Sequence, residues 1–305
     1  MPIARRLPQS FTLPIRSLIA RFRRWRPLAR ILAILGALGA AGLLALTFIP
    51  DHILFRQRLA FSILEMSSER EMVALDQRTH DGLTLRSWYV APQQGRPVIV
   101  YFAGRDGDIL RKPAHLAERV ESGFGLVLVG YRGYGGNPGL PREIDMHRDI
   151  QGLVAHLQSD NLAGSGLIFY GYSMGSAFAV NAAAQVDPLA VILEAPLSNF
   201  LAAVRQQAGY VPGFLVRTRL DNLSRIPQIR APILLLAGGR DAVTPPSFAH
   251  ALAAANPAFA SVETFPEANH FNIVRLGGRE AIGAFLQAIE NRTMASGMAS
   301  VRSIF

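Results

Sequence analysis

Cysteine is absent from this 305-residue chain. No disulfide framework, thiolate nucleophile or thiolate metal site can exist in it. The compartment stays open, since a cysteine-free chain tolerates oxidising and reducing surroundings alike. Lysine is nearly absent as well: Lys112 is the single example, and arginine makes up the rest of the basic set. Acidic residues are missing from the first 30 positions, which carry eight arginines: Arg5, Arg6, Arg16, Arg21, Arg23, Arg24, Arg26 and Arg30. Those eight supply nearly all of the net charge of +9, for 23 basic residues face 22 acidic ones in the remainder. A nucleic-acid-binding domain spreads its cations over a folded face, so nucleic acid is not an expected partner.

Charge is also missing from the 19 residues Ile31 to Ile49, ILAILGALGAAGLLALTFI, where Thr47 is the one polar side chain. At 1.5 Å per residue a helix of this length spans about 28 Å, close to the hydrocarbon thickness of a bilayer. A buried core helix normally keeps a polar face at helical spacing. The expectation is a transmembrane anchor over 31–49 preceded by a basic leader over 1–30. Arginines crowd the near side, while Asp51, Arg56, Arg58 and Glu65 are mixed on the far side. The positive-inside rule then puts the N-terminus in the cytoplasm and the rest outside, in the periplasm if the cell is Gram-negative. A cleaved signal peptide and a mitochondrial transit peptide are the competing readings. The apolar stretch exceeds a usual signal core and lacks a clean small-x-small cleavage site.

Beyond the anchor, half of the chain's residues being hydrophobic allows one large domain with a substantial core, expected over 51–292. Glu71–Gln77 and Leu83–Val90 read as strands around Asp81-Gly82, a hairpin signal, so the sheet should start antiparallel. Short continuous apolar runs follow at Pro97–Phe102, Gly125–Tyr131, Gly166–Tyr170, Ala190–Leu193, Pro232–Ala237 and Ser261–Phe265, suited to strands buried on both faces. Helix-compatible segments near 108–121, 142–159, 174–186, 246–255 and 278–291 alternate with them. Right-handed crossovers convert that alternation into a mainly parallel twisted sheet with helices on both faces, an α/β class. The stretch 197–228 is long for a connection and carries Phe200, Tyr210, Pro212, Phe214 and Leu215, so it reads as a small cap. Residues 293–305 read as a disordered tail.

Gly171-Tyr172-Ser173-Met174-Gly175 sits between the apolar run GLIFY and the small-residue helix SAFAVNAAA. That is the strand-to-helix setting of a nucleophile elbow, in which crowding at the sharp turn leaves no room for side chains two positions either side of the serine. A serine hydroxyl needs a base, and a histidine needs an acid to fix its tautomer. The order Ser, Asp, His is met by Asp241 and His270, each just beyond an expected strand end. Asp241 could instead start the helix after Thr244-Pro245-Pro246, and Glu194 and Asp221 are alternative acids. An oxyanion hole takes one backbone N–H from Met174 and a second from the loop Ala103-Gly104-Arg105-Asp106-Gly107-Asp108, with Arg105 the candidate donor and a helix expected to open there. Gly130–Gly136 lacks the spacing of a nucleotide loop and reads as a tight strand-end loop beside the site.

The GYSMGS elbow, YRGYG at 131–135, ILEAP at 192–196, the Gly-Arg-Asp loop at 239–241 and Asn269-His270 together resemble the α/β-hydrolase superfamily, over roughly Val73 to Ile289. They are most similar to single-pass membrane hydrolases of the Bem46 type. Two positions depart from that pattern. Ala103-Gly104-Arg105 stands where such proteins usually have His-Gly-Asn, and Gly130 stands where relatives often have an acidic residue. The resemblance implies the α/β-hydrolase fold and a serine hydrolase acting through an acyl-enzyme on Ser173, with an acyl ester, thioester or lipid-like substrate favoured over a peptide. Neither an organic cofactor nor a metal is implied. The contrasting reading is a membrane-tethered binding or signalling protein that keeps the fold without turnover.

Overall fold

The structure, a computed structural model, describes residues 30–39, 70–107, 109 and 112–302. The chain divides into two units, Met1–Ile49 and Pro50–Phe305. In the first, residues 30–39 are helical and expose Ile31, Leu32, Ile34, Leu35 and Leu38. The leader up to residue 29 and the remainder of the expected 31–49 span lie outside the described residues. Among the described residues no helix is long and apolar enough to cross a membrane.

The second unit is built on one eight-stranded sheet. Its strands are β1 Val73–Arg78, β2 Thr84–Val90, β3 Val98–Phe102, β4 Gly125–Leu128, β5 Leu167–Tyr172, β6 Ala190–Glu194, β7 Ile233–Gly238 and β8 Ala260–Phe265. They lie in the order β1-β2-β4-β3-β5-β6-β7-β8. The β1–β2 hairpin closes through Gly82 at φ 84°, and β1–β2 and β2–β4 are antiparallel. Every later pairing is parallel. All residues of β3 through β7 are buried, as continuous apolar runs require when helices cover both faces. Terminal β8 alternates half-buried with exposed positions, which fits an edge strand rather than the doubly buried one expected.

The helices are α1 Ala117–Glu121, α2 Glu143–Ser159, α3 Gly175–Ala183, α4 Phe200–Ala208, α5 Asn222–Arg225, α6 Pro246–Ala255 and α7 Gly278–Arg302. Two boundaries differ from expectation. Among the described residues, the first helical turn after β3 is a 3-10 turn at Lys112–Leu116, and Arg105–Gly107 are not helical. The loop at Arg105 closes on itself as a turn, Gly107 N–H donating to Gly104 O at 3.0 Å. At the other end α7 continues to Arg302, through most of the segment expected to be disordered. Alanine and methionine propagate a helix already nucleated, and no proline stops it.

The loop Tyr131–Gly136 after β4 fastens the hairpin to the rest of the unit. Arg132, 2% exposed, donates from Nε and Nη2 to both Asp149 carboxylate oxygens (2.6 and 2.7 Å) and from Nη1 to Asp81 Oδ2 (3.0 Å). Asp145 lies 3.6 Å away. The carboxylates of Asp81 and Asp149, which with His80 come close enough together to suggest a metal, thus surround a guanidinium. The Asp81 carboxyl is held well below the usual range by Arg132 and then by the Thr79 hydroxyl. Gly130 is explained by the same packing: a Cβ there would stand 1.8 Å from Arg86 O of β2, so no side chain has room.

Candidate active site

Strand β5 ends at Tyr172, and the chain turns through Ser173 at φ 52° directly into α3. A non-glycine residue in the left-handed region carries strain that the surroundings must hold. Here Ser173 N–H donates to Glu194 O at the end of β6 (2.9 Å) and Ser173 O accepts from Ser176 Oγ (2.6 Å). The elbow glycines are enforced by backbone contact: a Cβ on Gly171 would meet Ser176 Cα at 2.6 Å, and one on Gly175 would meet Phe102 O at 2.0 Å.

The structure brings Ser173, His270 and Asp241 together. Ser173 Oγ lies 3.0 Å from His270 Nε2, and His270 Nδ1 lies 2.8 Å from Asp241 Oδ2. A proton on Nδ1 lets the ring donate to Asp241 and accept from the serine hydroxyl. The loops carrying acid and base are laced together, Gly239 N–H donating to Phe265 O and Arg240 N–H to Ala268 O, both at 2.8 Å. Asp241 also accepts from the Val243 and Thr244 amides at 2.8 Å each. Burial raises its carboxyl, but the His270 bond and charge and these two amides outweigh that and hold it below the usual range. The alternative acids are engaged elsewhere. Asp221 caps α5 through Ser224 N–H (3.2 Å), and Glu194 accepts from Tyr170 Oη (2.8 Å).

Opposite the serine, the Arg105 and Met174 backbone N–H groups find no acceptor among the described residues. Met174 N–H lies at the N-terminal end of the nine-residue α3, where the helix dipole favours negative charge. Gly104 passes so close to Tyr172 that a Cβ would be 3.0 Å from its ring. Tyr131 Oη donates to Ala103 O (3.1 Å) and Tyr134 Oη to Arg105 O (3.2 Å). Burial lifts both phenols well above their usual range, so they stay donors. The YRGYG segment therefore braces the Ala103–Arg105 loop from behind while Arg132 locks its base. Its local sequence carries no sign of that bracing.

A cleft of about 350 Å3 opens over these groups, within the range of roughly 300–1,000 Å3 usual for small-molecule sites. One wall is a face of α4, with Phe200, Ala203, Val204, Gln207 and Ala208 at helical spacing. Leu197, Val243 and Phe271 extend the apolar lining, and Arg105 and Asp106 form the polar rim. Two further residues escape the sequence reading: Tyr172, whose Oη donates to His270 O (3.1 Å), and Thr244, whose Oγ1 lies 3.1 Å from His270 Nδ1. Of the remaining histidines described, His115 and His147 are packed in the interior and His80, His156 and His250 lie near other partners.

No family model matches the chain. An uncharacterized protein of Mycobacterium tuberculosis is 32% identical over 219 residues, covering 68% of this chain and 76% of that protein. The α/β hydrolase domain-containing protein WAV2 of Arabidopsis thaliana is 27% identical over 70% of this chain and 77% of its own length. An uncharacterized membrane protein of Saccharomyces cerevisiae is 25% identical over 67% and 79%. Among solved structures, a Pyrococcus furiosus esterase superposes with a TM-score of 0.62 at 16% identity, over 76% of this chain and 96% of its own. A Pyrococcus horikoshii acylaminoacyl peptidase does so with 0.56 at 19%, over 73% and 41%.

Proposed function

The chain belongs to the α/β-hydrolase superfamily, and from that premise we propose that it is a membrane-anchored serine hydrolase cleaving a carboxylic ester or thioester. The observation that carries the proposal is the unbroken line from Ser173 Oγ through His270, which line an apolar cleft, to the buried Asp241, at 3.0 and 2.8 Å.

In this reading His270 Nε2 takes the hydroxyl proton as Ser173 Oγ attacks the acyl carbon. Asp241 keeps the ring in the accepting tautomer and stabilises the imidazolium. The Met174 and Arg105 amides receive the developing oxyanion. Collapse expels the alcohol or thiol, protonated by His270, and leaves an acyl group on Ser173. Water deprotonated by the same nitrogen then attacks, releasing the acid and restoring the serine. An ester or thioester is favoured over a peptide because the cleft walls contributed by α4, Leu197, Val243 and Phe271 are apolar and offer few groups to bind a peptide backbone. The peptidase among the structural neighbours motivates the second reading. The test is a paired screen of p-nitrophenyl acyl esters and peptide p-nitroanilides with wild type and Ser173→Ala. Ser173-dependent turnover of esters is expected, and turnover of anilides alone would transfer the assignment to a peptidase.

The membrane part of the proposal rests on the uncharged run 31–49, the exposed apolar helix over 30–39 and the arginines before it. The name of the yeast relative is consistent with it. The leader is proposed to stay in the cytoplasm and the catalytic unit to lie outside.

A further inference from the structure

Two residues at neighbouring strand tips adopt the left-handed conformation: Ser173 after β5 (φ 52°) and Ala195 after β6 (φ 48°). The elbow accounts for the first. It does not account for the second, which is strained twice over, since Pro196 also drives the residue before it toward extended backbone. Something must hold Ala195 in place, and its polar groups show what does. Ala195 N–H donates to Leu236 O of β7 (2.9 Å), and Ala195 O accepts from Thr244 Oγ1 (3.0 Å).

Thr244 is 4% exposed, and its hydroxyl sits within reach of three groups at once. It lies 3.0 Å from Ala195 O, 2.9 Å from Asp241 Oδ2 and 3.1 Å from His270 Nδ1. A hydroxyl has one proton and two lone pairs. The two oxygens can only accept; Asp241 Oδ2 already takes the His270 Nδ1–H, so the hydroxyl proton goes to Ala195 O, and the His270 N–H is close enough to share itself with the hydroxyl oxygen. Valine has the same shape but would leave Ala195 O and part of the His270 N–H without a partner in a buried setting.

We infer that Thr244 is a positioning residue for the Ser173–His270–Asp241 set: its amide donates to Asp241 Oδ1 and its hydroxyl to the strained carbonyl of Ala195, which fastens the acid to that carbonyl through one residue. The consequence is a common reference point. Ser173 is tied by its N–H to Glu194 O, and Asp241 is tied through the amide and hydroxyl of Thr244 to Ala195 O. Nucleophile and acid, 68 positions apart in the sequence, are therefore both measured from two consecutive residues of the ILEAP segment. That gives this segment a role which strand packing alone does not require. The inference rests on the serine-hydrolase reading.

The test compares full-length wild type, Thr244→Val and Thr244→Ser, reading the rate of Ser173 labelling by a fluorophosphonate and the kcat and KM for p-nitrophenyl butyrate. Misplacement of reacting groups by a fraction of an ångström to 1 Å costs about ten- to a hundredfold in rate. Thr244→Val should lose that factor in labelling rate and in kcat, with KM within about twofold, while Thr244→Ser, which keeps the hydroxyl, should recover most of it. Thermal melting of each variant separates loss of fold from loss of alignment. Wild-type rates in a folded Thr244→Val, or a Thr244→Ser no faster than the valine variant, overturn the inference. If wild type itself shows no Ser173-dependent labelling, the serine-hydrolase reading fails first and this inference with it.

Discussion

Asp241 carries the sharpest residue-scale prediction, because its two carboxylate oxygens serve different partners: Oδ1 the loop amides, Oδ2 the base. Asp241→Asn keeps the shape but offers an amide where His270 needs a carboxylate. The ring then loses both its tautomer and its counter-charge, and kcat should fall by roughly a thousand- to ten-thousandfold. The same change alters acid stability with a definite sign. The folded Asp241 carboxyl is held below the usual range, so its contribution is complete above the unfolded value of about 4 and disappears as pH falls through the lower folded value. The melting temperature of wild type should exceed that of Asp241→Asn near neutrality, and the gap should close as the pH drops below about 4. A gap that widens on acidification contradicts the assignment of Asp241 as the ionised partner. Ser173, Asp241 and His270 are legible in the sequence because each follows an apolar strand at its carboxyl end, so pattern and position agree. Thr244 is not. Asp-x-x-Thr-Pro-Pro reads equally well as the approach to α6, and only the arrival of Ala195 and His270 from elsewhere gives the hydroxyl its partners.

At the scale of elements, β3 to β7 are legible to within three residues because continuous burial leaves a continuous apolar run. The connections leave no such imprint. Tyr131, Arg132 and Tyr134 look like any tight loop, yet they reach Ala103, Asp149 and Arg105, which no local pattern links to them. Arg132 tests that linkage. Arg132→Ala leaves Asp149 buried without its cation, while Asp145 keeps Arg142, and breaking a buried pair in this way costs about 3–5 kcal/mol. Urea unfolding monitored by tryptophan fluorescence should show a loss of that size, whereas less than about 1 kcal/mol would mean that water replaces the guanidinium. Helix α4 offers a second test. Ala203 faces the cleft and is small where its neighbours Phe200 and Val204 are not. Ala203→Phe should lower kcat/KM for p-nitrophenyl decanoate by at least tenfold relative to p-nitrophenyl acetate, whose acyl group needs none of that space. Equal losses on both esters would show that α4 does not line the acyl side.

For the whole molecule, the α/β alternation with an antiparallel start is readable before any coordinates, since hairpin chemistry and crossover handedness leave few topologies. The proposed anchor rests on a different signal, a 19-residue uncharged run. The proposed orientation rests on eight arginines on one side. Protease added to intact right-side-out membranes should therefore digest the unit Pro50–Phe305, and protection until the membrane is breached would reverse the topology. The central claim, however, is chemical. Its most direct test is peptide-resolved mass spectrometry of the full-length protein after exposure to a fluorophosphonate. The expected result is a single covalent adduct on Ser173, lost in Ser173→Ala and slowed at least a hundredfold in His270→Ala. An unmodified Ser173, or an adduct formed at the same rate without His270, would contradict the account.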